Sequence, residues 1–158
     1  MPPMPNSKIV KEMLEGLLGR DVDVRPGDPP QAADLSGSMV AVYVDGSMAI
    51  AAVAGLDLEL AANLGAAIGL VPRGGAEACV EDKELSPMIA ENAAEVCNVL
   101  SALLNHDGAE HHKLYHVYLP GEPAPQDAAN RLLALGNRLD LSVTVAGYGS
   151  GRFALSAP

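Results

Sequence analysis

The segment Leu85–Asn105, LSPMIAENAAEVCNVLSALLN, lies in the longest glycine-free part of the chain and has a single proline near its start. Ser86 can cap a helix here because its hydroxyl can accept a hydrogen bond from a backbone N–H, and Pro87 suits the first helical position, where no donor is missed. The segment is therefore predicted to form one long helix, and the rest of the chain must pack around it.

Helical spacing divides this segment into two faces. One face is apolar and comprises Ile89, Val96, Val99, Leu100, Leu103 and Leu104. Glu91, Glu95 and Asn98 share the opposite face, which Ala102 and Asn105 are predicted to continue. Asparagine is unfavourable inside a helix because its side chain competes for backbone hydrogen bonds. Asn98 therefore marks this polar face as a candidate functional stripe.

With 158 residues, the chain is most simply one domain with a substantial core. We expect residues 1–6 to be a disordered, proline-rich lead and residues 7–157 to form the domain. Aromatic residues are only 3% of the chain and tryptophan is absent, whereas apolar residues are 49%. The core is therefore predicted to consist of Ala, Val, Leu, Ile and Met side chains.

The formal net charge of −10 disfavours nucleic acid and anionic membranes as partners. Cys79 and Cys97 are far apart without metal-ligand spacing, and Cys97 is predicted to be a small buried hydrophobe. Since nothing suggests a disulfide framework, we expect a reducing, cytoplasmic location. Residues 51–70 contain Asp57, Glu59 and Asn63, so this stretch is not predicted to span a membrane.

Hydrophobic periodicity and turn residues predict the order of elements along the chain. Helices are predicted at 7–18, 56–70, 85–105 and 126–139, and strands at 21–25, 39–44, 48–53, 113–119, 141–147 and 152–157. Loops are predicted at 26–38 and 71–78, a two-residue hairpin turn at Asp45-Gly46, and a Gly-Ser-Gly turn between the last two strands. This order lacks regular strand-helix-strand crossovers, which favours an α+β fold with a largely antiparallel sheet packed against helices.

Three features could carry chemistry. On the polar stripe, the Asn98 amide can orient a water molecule and a carboxylate can bind a partner's lysine or arginine, although such a face is ordinarily just solvated. The group His106, His111, His112 and His116, near Asp107 and Glu110, could bind a metal, but its spacing matches no helical zinc motif, so no metal site is predicted. Residues 147–151, GYGSG, lack the following helix and lysine of a phosphate loop and are predicted to form a hairpin turn.

The run Glu95-Val-Cys-Asn98-Val-Leu, in a helix that follows a hairpin and an Ala-rich helix, resembles the CheC/CheX/FliY group of chemotaxis phosphatases. The supporting frame is Met39–Val53, then LDLELAANLGAAIGL, then the Glu-x-x-Asn helix. The chain has one Glu-x-x-Asn helix, and in this respect it resembles the CheX-like branch. The resemblance covers residues 7 to 157, and it departs from the CheC-type pattern in having Glu91 where that pattern has Ser or Asp.

The resemblance implies that Glu95 forms a salt bridge with the substrate protein and that Asn98 positions the attacking water. It implies a phosphorylated, CheY-like response-regulator receiver domain as partner, with Glu91, Ala102 and Asn105 as further contacts. It also implies that this chain binds no cofactor, since the partner supplies the Mg²⁺, and that a homodimer can form. Two alternatives stay open, namely a non-catalytic interaction domain of the same fold and a small-ligand or metal-binding domain centred on the histidines.

Overall fold

The computed structural model describes residues 4–105 and 111–157 of the chain. The five α-helices are α1 (Ser7–Leu18), α2 (Leu58–Ile68), α3 (Arg73–Asp82), α4 (Pro87–Leu100) and α5 (Gln126–Leu133). The six strands are β1 (Val22–Pro26), β2 (Met39–Val44), β3 (Ile50–Leu56), β4 (Lys113–Tyr118), β5 (Arg138–Val145) and β6 (Gly149–Ser156). Two 3₁₀ segments, Ala32–Gly37 and Ser101–Leu104, complete the regular structure of these residues.

All six strands form one sheet in the order β1-β5-β6-β3-β2-β4, and every neighbouring pair is antiparallel. The predicted α+β class with an antiparallel sheet is thereby confirmed. The sheet is built from two hairpins, β2–β3 and β5–β6, which meet along the central β3–β6 pair. Each edge strand pairs with the hairpin of the other half of the chain, β1 with β5 and β4 with β2. The two halves therefore exchange their edge strands, and the strand order is symmetric about the central β3–β6 pair, an arrangement that the sequence does not display.

The alternation of side chains along β2 assigns the two faces of the sheet. Met39, Ala41 and Tyr43 belong to the larger core, which α1 to α4 cover. The valines between them belong to a smaller core on the other face, together with Ala128 and Leu132 of α5. Both faces of β2 are thus buried, which explains its uninterrupted apolar sequence.

The first helix, α1, begins and ends where its capping residues predict. The Asn6 side chain caps it by accepting from the Ile9 N–H at 2.9 Å, and Gly19 ends it in the left-handed conformation with φ of 68°. Met4 packs against the core and Pro5 is buried, so the lead predicted as disordered is packed against the domain from Met4 onwards.

Residues 71–78 do not form the predicted loop, because α3 begins at Arg73. Glycine costs about 1 kcal/mol in a helix interior relative to alanine, and this stretch contains Gly74 and Gly75. Burial of Ala76 and Cys79 against the core offsets that cost. Local propensity predicted the loop, and tertiary packing overrides it.

Three turn positions also differ from the prediction. The β2–β3 connection spans residues 45–49 rather than two residues, because the Asp45 carboxylate accepts hydrogen bonds from the Ser47 and Ala49 N–H groups and organises a wider turn. The last helix ends at Leu133 rather than 139, and β5 begins at Arg138. The final hairpin does turn within the region predicted, but at residues 146–148, so that 149–151 lie in β6.

Both cysteines are free and buried, and Cys97 has no solvent exposure, as predicted. Within the described residues, no helix is both long and apolar enough to cross a membrane.

Candidate functional site

The helix that carries the candidate stripe is shorter than predicted. Pro87 occupies the first position of α4, but the Ser86 hydroxyl makes no capping hydrogen bond. The α-helix ends at Leu100, and the chain tightens into 3₁₀ geometry over Ser101–Leu104. Because 3₁₀ geometry has three residues per turn, the polar stripe loses its helical continuation after Asn98.

Contacts with α2 hold the buried side of α4. A Cβ added at Gly65 would overlap the Ile89 carbonyl oxygen, so only glycine permits this approach of the two helices. The Asn92 side chain donates to the Gly65 carbonyl oxygen at 3.1 Å. Gly65 on α2 and Gly69 at its C-cap, four residues apart, are the sequence signal that could have identified this close packing.

A contact with the sheet holds the C-terminal end of α4. The Tyr43 hydroxyl donates to the Cys97 carbonyl oxygen at 2.6 Å, and the Ser101 hydroxyl donates to the Asn98 carbonyl oxygen at 2.6 Å. Burial raises the pKa of Tyr43 well above its usual value, which keeps its hydroxyl a donor. The backbone around Asn98 is therefore fixed from both sides.

Glu91, Glu95 and Asn98 are all exposed on α4. Residues three or four apart on a helix have Cβ atoms about 5–6 Å apart, so the three side chains form one continuous strip. None of the three side chains forms a hydrogen bond or an ion pair with the residues that the structure describes. Their polar atoms are thus available to an external partner.

The other two predicted contact residues, Ala102 and Asn105, lie beyond the end of α4 and differ in their surroundings. Ala102 is exposed on the 3₁₀ segment. The Asn105 amide donates to the carbonyl oxygens of Ser101 and His112, at 3.1 and 2.8 Å, and its oxygen accepts from the His112 N–H at 2.6 Å. Asn105 therefore closes the connection between α4 and β4 and has no free polar atom to offer a partner.

Two of the described histidines, His112 and His116, have separate surroundings. His112 is buried with its ring Nδ1 3.2 Å from the Leu104 carbonyl oxygen, whereas His116 packs edge-on against Tyr118 on β4. His106, Asp107 and Glu110 lie outside the described residues. Among residues 4–105 and 111–157, no three His, Cys, Asp or Glu side chains are arranged to hold a metal ion.

The arrangement is an exposed, rigid helix face rather than a pocket. It offers a carboxamide, which both donates and accepts, one turn after a carboxylate. Such a face can place a water molecule and neutralise one cation, but the chain brings no second reactive group to it among the described residues. Any substrate must therefore present its own reactive centre to this helix.

No protein-family profile matches the chain, and no curated protein matches it. The chain is similar in structure to the FliM middle domain from H. pylori, with a TM-score of 0.62 and 8% identity over 96% of this chain and 84% of that one. It is also similar to Thermotoga maritima FliY, with a TM-score of 0.54 and 13% identity over 93% of this chain and 81% of that one.

A third similar structure is that of the FliM–SpeE complex from H. pylori, with a TM-score of 0.63 and 9% identity over 96% of this chain and 81% of the matched one. These similarities establish that the chain has the CheC/CheX/FliY fold. Because the identities are only 8–13%, these similarities show the fold and not the activity.

Proposed function

We propose that this chain is a CheX-like phosphatase that accelerates hydrolysis of the aspartyl phosphate on a response-regulator receiver domain. The observation that carries the proposal is the pair Glu95 and Asn98, exposed and unpaired among the described residues, on a helix held rigidly in the CheC/CheX/FliY fold. The reaction itself is inferred from the resemblance of the Glu-x-x-Asn helix to the CheC/CheX/FliY group.

In this proposal Asn98 positions the attacking water. Its amide oxygen accepts from the water and its NH₂ group donates to it, which orients a lone pair towards phosphorus. The water oxygen forms the new bond to phosphorus while the bond to the aspartyl oxygen breaks, releasing the receiver's carboxylate and inorganic phosphate. Phosphoryl transfer needs mainly positioning and charge neutralisation, and the receiver's own Mg²⁺ supplies the latter, so this chain needs no cofactor.

Glu95 lies one turn before Asn98 and would bind a lysine ammonium group at the receiver's phosphorylation site. An ion pair formed there would dock the amide beside the phosphoryl group. Glu91 continues the negative strip by one turn, and the small Ala102 lets the partner approach beyond Asn98. Together with the net charge of −10, this strip favours a positively charged partner surface. A receiver partner would place the chain in the cytoplasm.

The test is the decay of a phosphorylated receiver domain in the presence of Mg²⁺, with and without this protein. Receivers from the same genome are compared as substrates. Wild-type protein should accelerate decay. Asn98→Ala should reduce that acceleration at least about tenfold, because the substitution removes the group that positions the water in the transition state. Glu95→Ala should weaken receiver binding as well as the rate.

Asn130→Ala is the matched control, since Asn130 is also an exposed helical asparagine, but on α5 across the sheet. It should leave the acceleration unchanged. Dephosphorylation by Asn98→Ala at the wild-type rate would refute the assigned mechanism.

The second candidate is a non-catalytic interaction domain. It is favoured by the solved structures of similar fold that hold H. pylori FliM in complexes with SpeE and with FliG. The exposed apolar patch that such a module could present on the second helix does not form there, because residues 60–67 of α2 are all buried. Receiver binding without any acceleration of decay would identify this second function.

A further inference from the structure

A second candidate site lies where α2, α3 and the β5–β6 turn meet. These elements surround a cavity of about 400 Å³. Its lining includes Glu59 and Asn63 of α2, Glu77 and Glu81 of α3, and Tyr148 and Ser150 of the last hairpin. The lining includes no residue of the Glu91–Asn98 strip, so the cavity is separate from the proposed phosphatase surface.

Asn63 is the feature of this cavity that packing does not explain. The residue is only 7% exposed, and its carboxamide has no hydrogen-bond partner among the residues that the structure describes. Gly149, at φ of 139°, lines the cavity next to it, and a Cβ there would lie 3.6 Å from the Asn63 side-chain nitrogen. Among the described residues, Arg20 Nε is the one fully buried side-chain nitrogen or oxygen without a hydrogen-bond partner, so the Asn63 amide reaches solvent. A ligand in the cavity can therefore contact this amide.

The charged side chains that line the cavity are all carboxylates, and the Arg20 guanidinium lies over the Tyr148 ring, 4.9 Å from its centre. Glu59 is one helical turn before Asn63, and Glu77 and Glu81 are one turn apart on the facing helix. Glu77 is 3.2 Å from Arg73, whereas Glu59 and Glu81 have no ion-pair partner in the described part of the chain. Two carboxylates without an ion-pair partner in the described part of the chain therefore line the same cavity as the Asn63 amide.

These carboxylates are not arranged as metal ligands, since no three acidic, histidine or cysteine side chains among the described residues form a metal-binding group. The acceptors are instead spread over two helices. A planar guanidinium group, with five N–H donors in a fixed fork, can reach several separated acceptors at once.

We propose that this cavity binds a guanidinium group, with the Asn63 amide oxygen as the neutral acceptor and the carboxylates of Glu59 and Glu81 as the counter-charges. The group belongs either to a free small molecule or to an arginine side chain of a partner protein. In both cases the same acceptors are used, so the two sources differ in affinity and not in site.

The experiment is an NMR titration of the ¹⁵N-labelled chain with argininamide, following the Asn63 side-chain NH₂ signals. It uses this protein alone, without a receiver, so its outcome is independent of the phosphatase assay. Saturable shifts of Asn63 and Ser150 are expected with argininamide. Citrullinamide, in which a neutral urea replaces the guanidinium group, should produce none.

Two variants test the assignment. Asn63→Leu keeps the number and branching of the side-chain heavy atoms and should remain folded. It should weaken argininamide binding about tenfold, through the loss of one hydrogen bond to a charged group. Glu81→Gln should weaken binding about threefold or more, as for an exposed charge pair. Glu12→Gln, on α1, makes the same change of net charge away from the cavity and should have no effect.

Absence of saturable shifts with argininamide, equal binding of citrullinamide, or unchanged affinity in both Asn63→Leu and Glu81→Gln would overturn the proposal. Comparing agmatine with a blocked Gly-Arg-Gly peptide then separates the sources of the group. Tighter binding of agmatine supports a free guanidinium compound, and tighter binding of the peptide supports a partner's arginine.

Discussion

The Tyr43 hydroxyl of β2 donates a 2.6 Å hydrogen bond to the Cys97 carbonyl oxygen of α4, one residue before Asn98. Helix C-termini leave carbonyl groups without helical partners, and here the Ser101 N–H donates to the Asn98 and Val99 oxygens. The tyrosine therefore satisfies a buried acceptor created by the change from α to 3₁₀ geometry. This contact couples the sheet to the end of the helix that carries the candidate strip.

Tyr43→Phe should lower the free energy of unfolding by about 1–3 kcal/mol, because the Cys97 carbonyl oxygen would be left buried without its donor. Urea denaturation measures the change. Tyr115→Phe removes a hydroxyl from an exposed tyrosine of β4 and should change stability by less than about 0.5 kcal/mol. Equal stability of Tyr43→Phe and wild-type protein would show that this hydrogen bond does not hold the end of α4.

Gly65→Ala should destabilise the protein by about 1–3 kcal/mol, since its Cβ would overlap the Ile89 carbonyl oxygen and force α2 and α4 apart. Gly16→Ala is the matched control, because Gly16 is exposed in the interior of α1 with open space around it. It should stabilise the protein by about 0.5–1 kcal/mol through helix propensity. Thermal unfolding of both variants is monitored by circular dichroism. The unfolding midpoint should fall for Gly65→Ala and rise for Gly16→Ala.

Asn105→Ala should cost about 2–4 kcal/mol, because it removes three hydrogen bonds that join Ser101 and His112 across the α4–β4 connection. Asn98→Ala should be neutral or slightly stabilising, since alanine is the better helix former and the Asn98 side chain has no partner among the described residues. Chemical denaturation of the two variants should therefore separate a structural asparagine from a functional one. Similar losses in both would contradict the distinction.

Burial raises the pKa of the Cys97 thiol to about 12. Its ordinary value when unfolded is about 8.5, so the unfolded chain loses this proton first as the pH rises. The contribution of Cys97 to stability is thus full below about pH 8.5 and falls as the pH rises towards 12. Native protein at pH 8 should leave Cys97 unlabelled by iodoacetamide, and unfolded protein should label it, as peptide mass mapping can show. Labelling of the native protein at the unfolded rate would exclude this buried state.

Local signals were sufficient for several elements. Asn6 and Gly19 delimit α1 because capping and left-handed termination depend on neighbouring residues only. The exposed placement of Glu91, Glu95 and Asn98 follows from helical periodicity, which a sequence displays directly. Helix α3 was not predictable in the same way, because the burial that stabilises it comes from residues distant in the chain.

The sequence by itself determined the α+β class, the antiparallel sheet and the polar strip on α4, since these depend on periodicity and capping within short segments. Only the tertiary structure decided that Asn105 closes a connection, whereas the side chains of Asn98 and Asn63 find no hydrogen-bond partner in the described part of the chain, Asn63 at a cavity. All three are asparagines on or near helices, with the same donors and acceptors. Whether each is structural or available depends on which backbone carbonyl and N–H groups the fold brings within hydrogen-bond distance, and that distance is set by long-range packing.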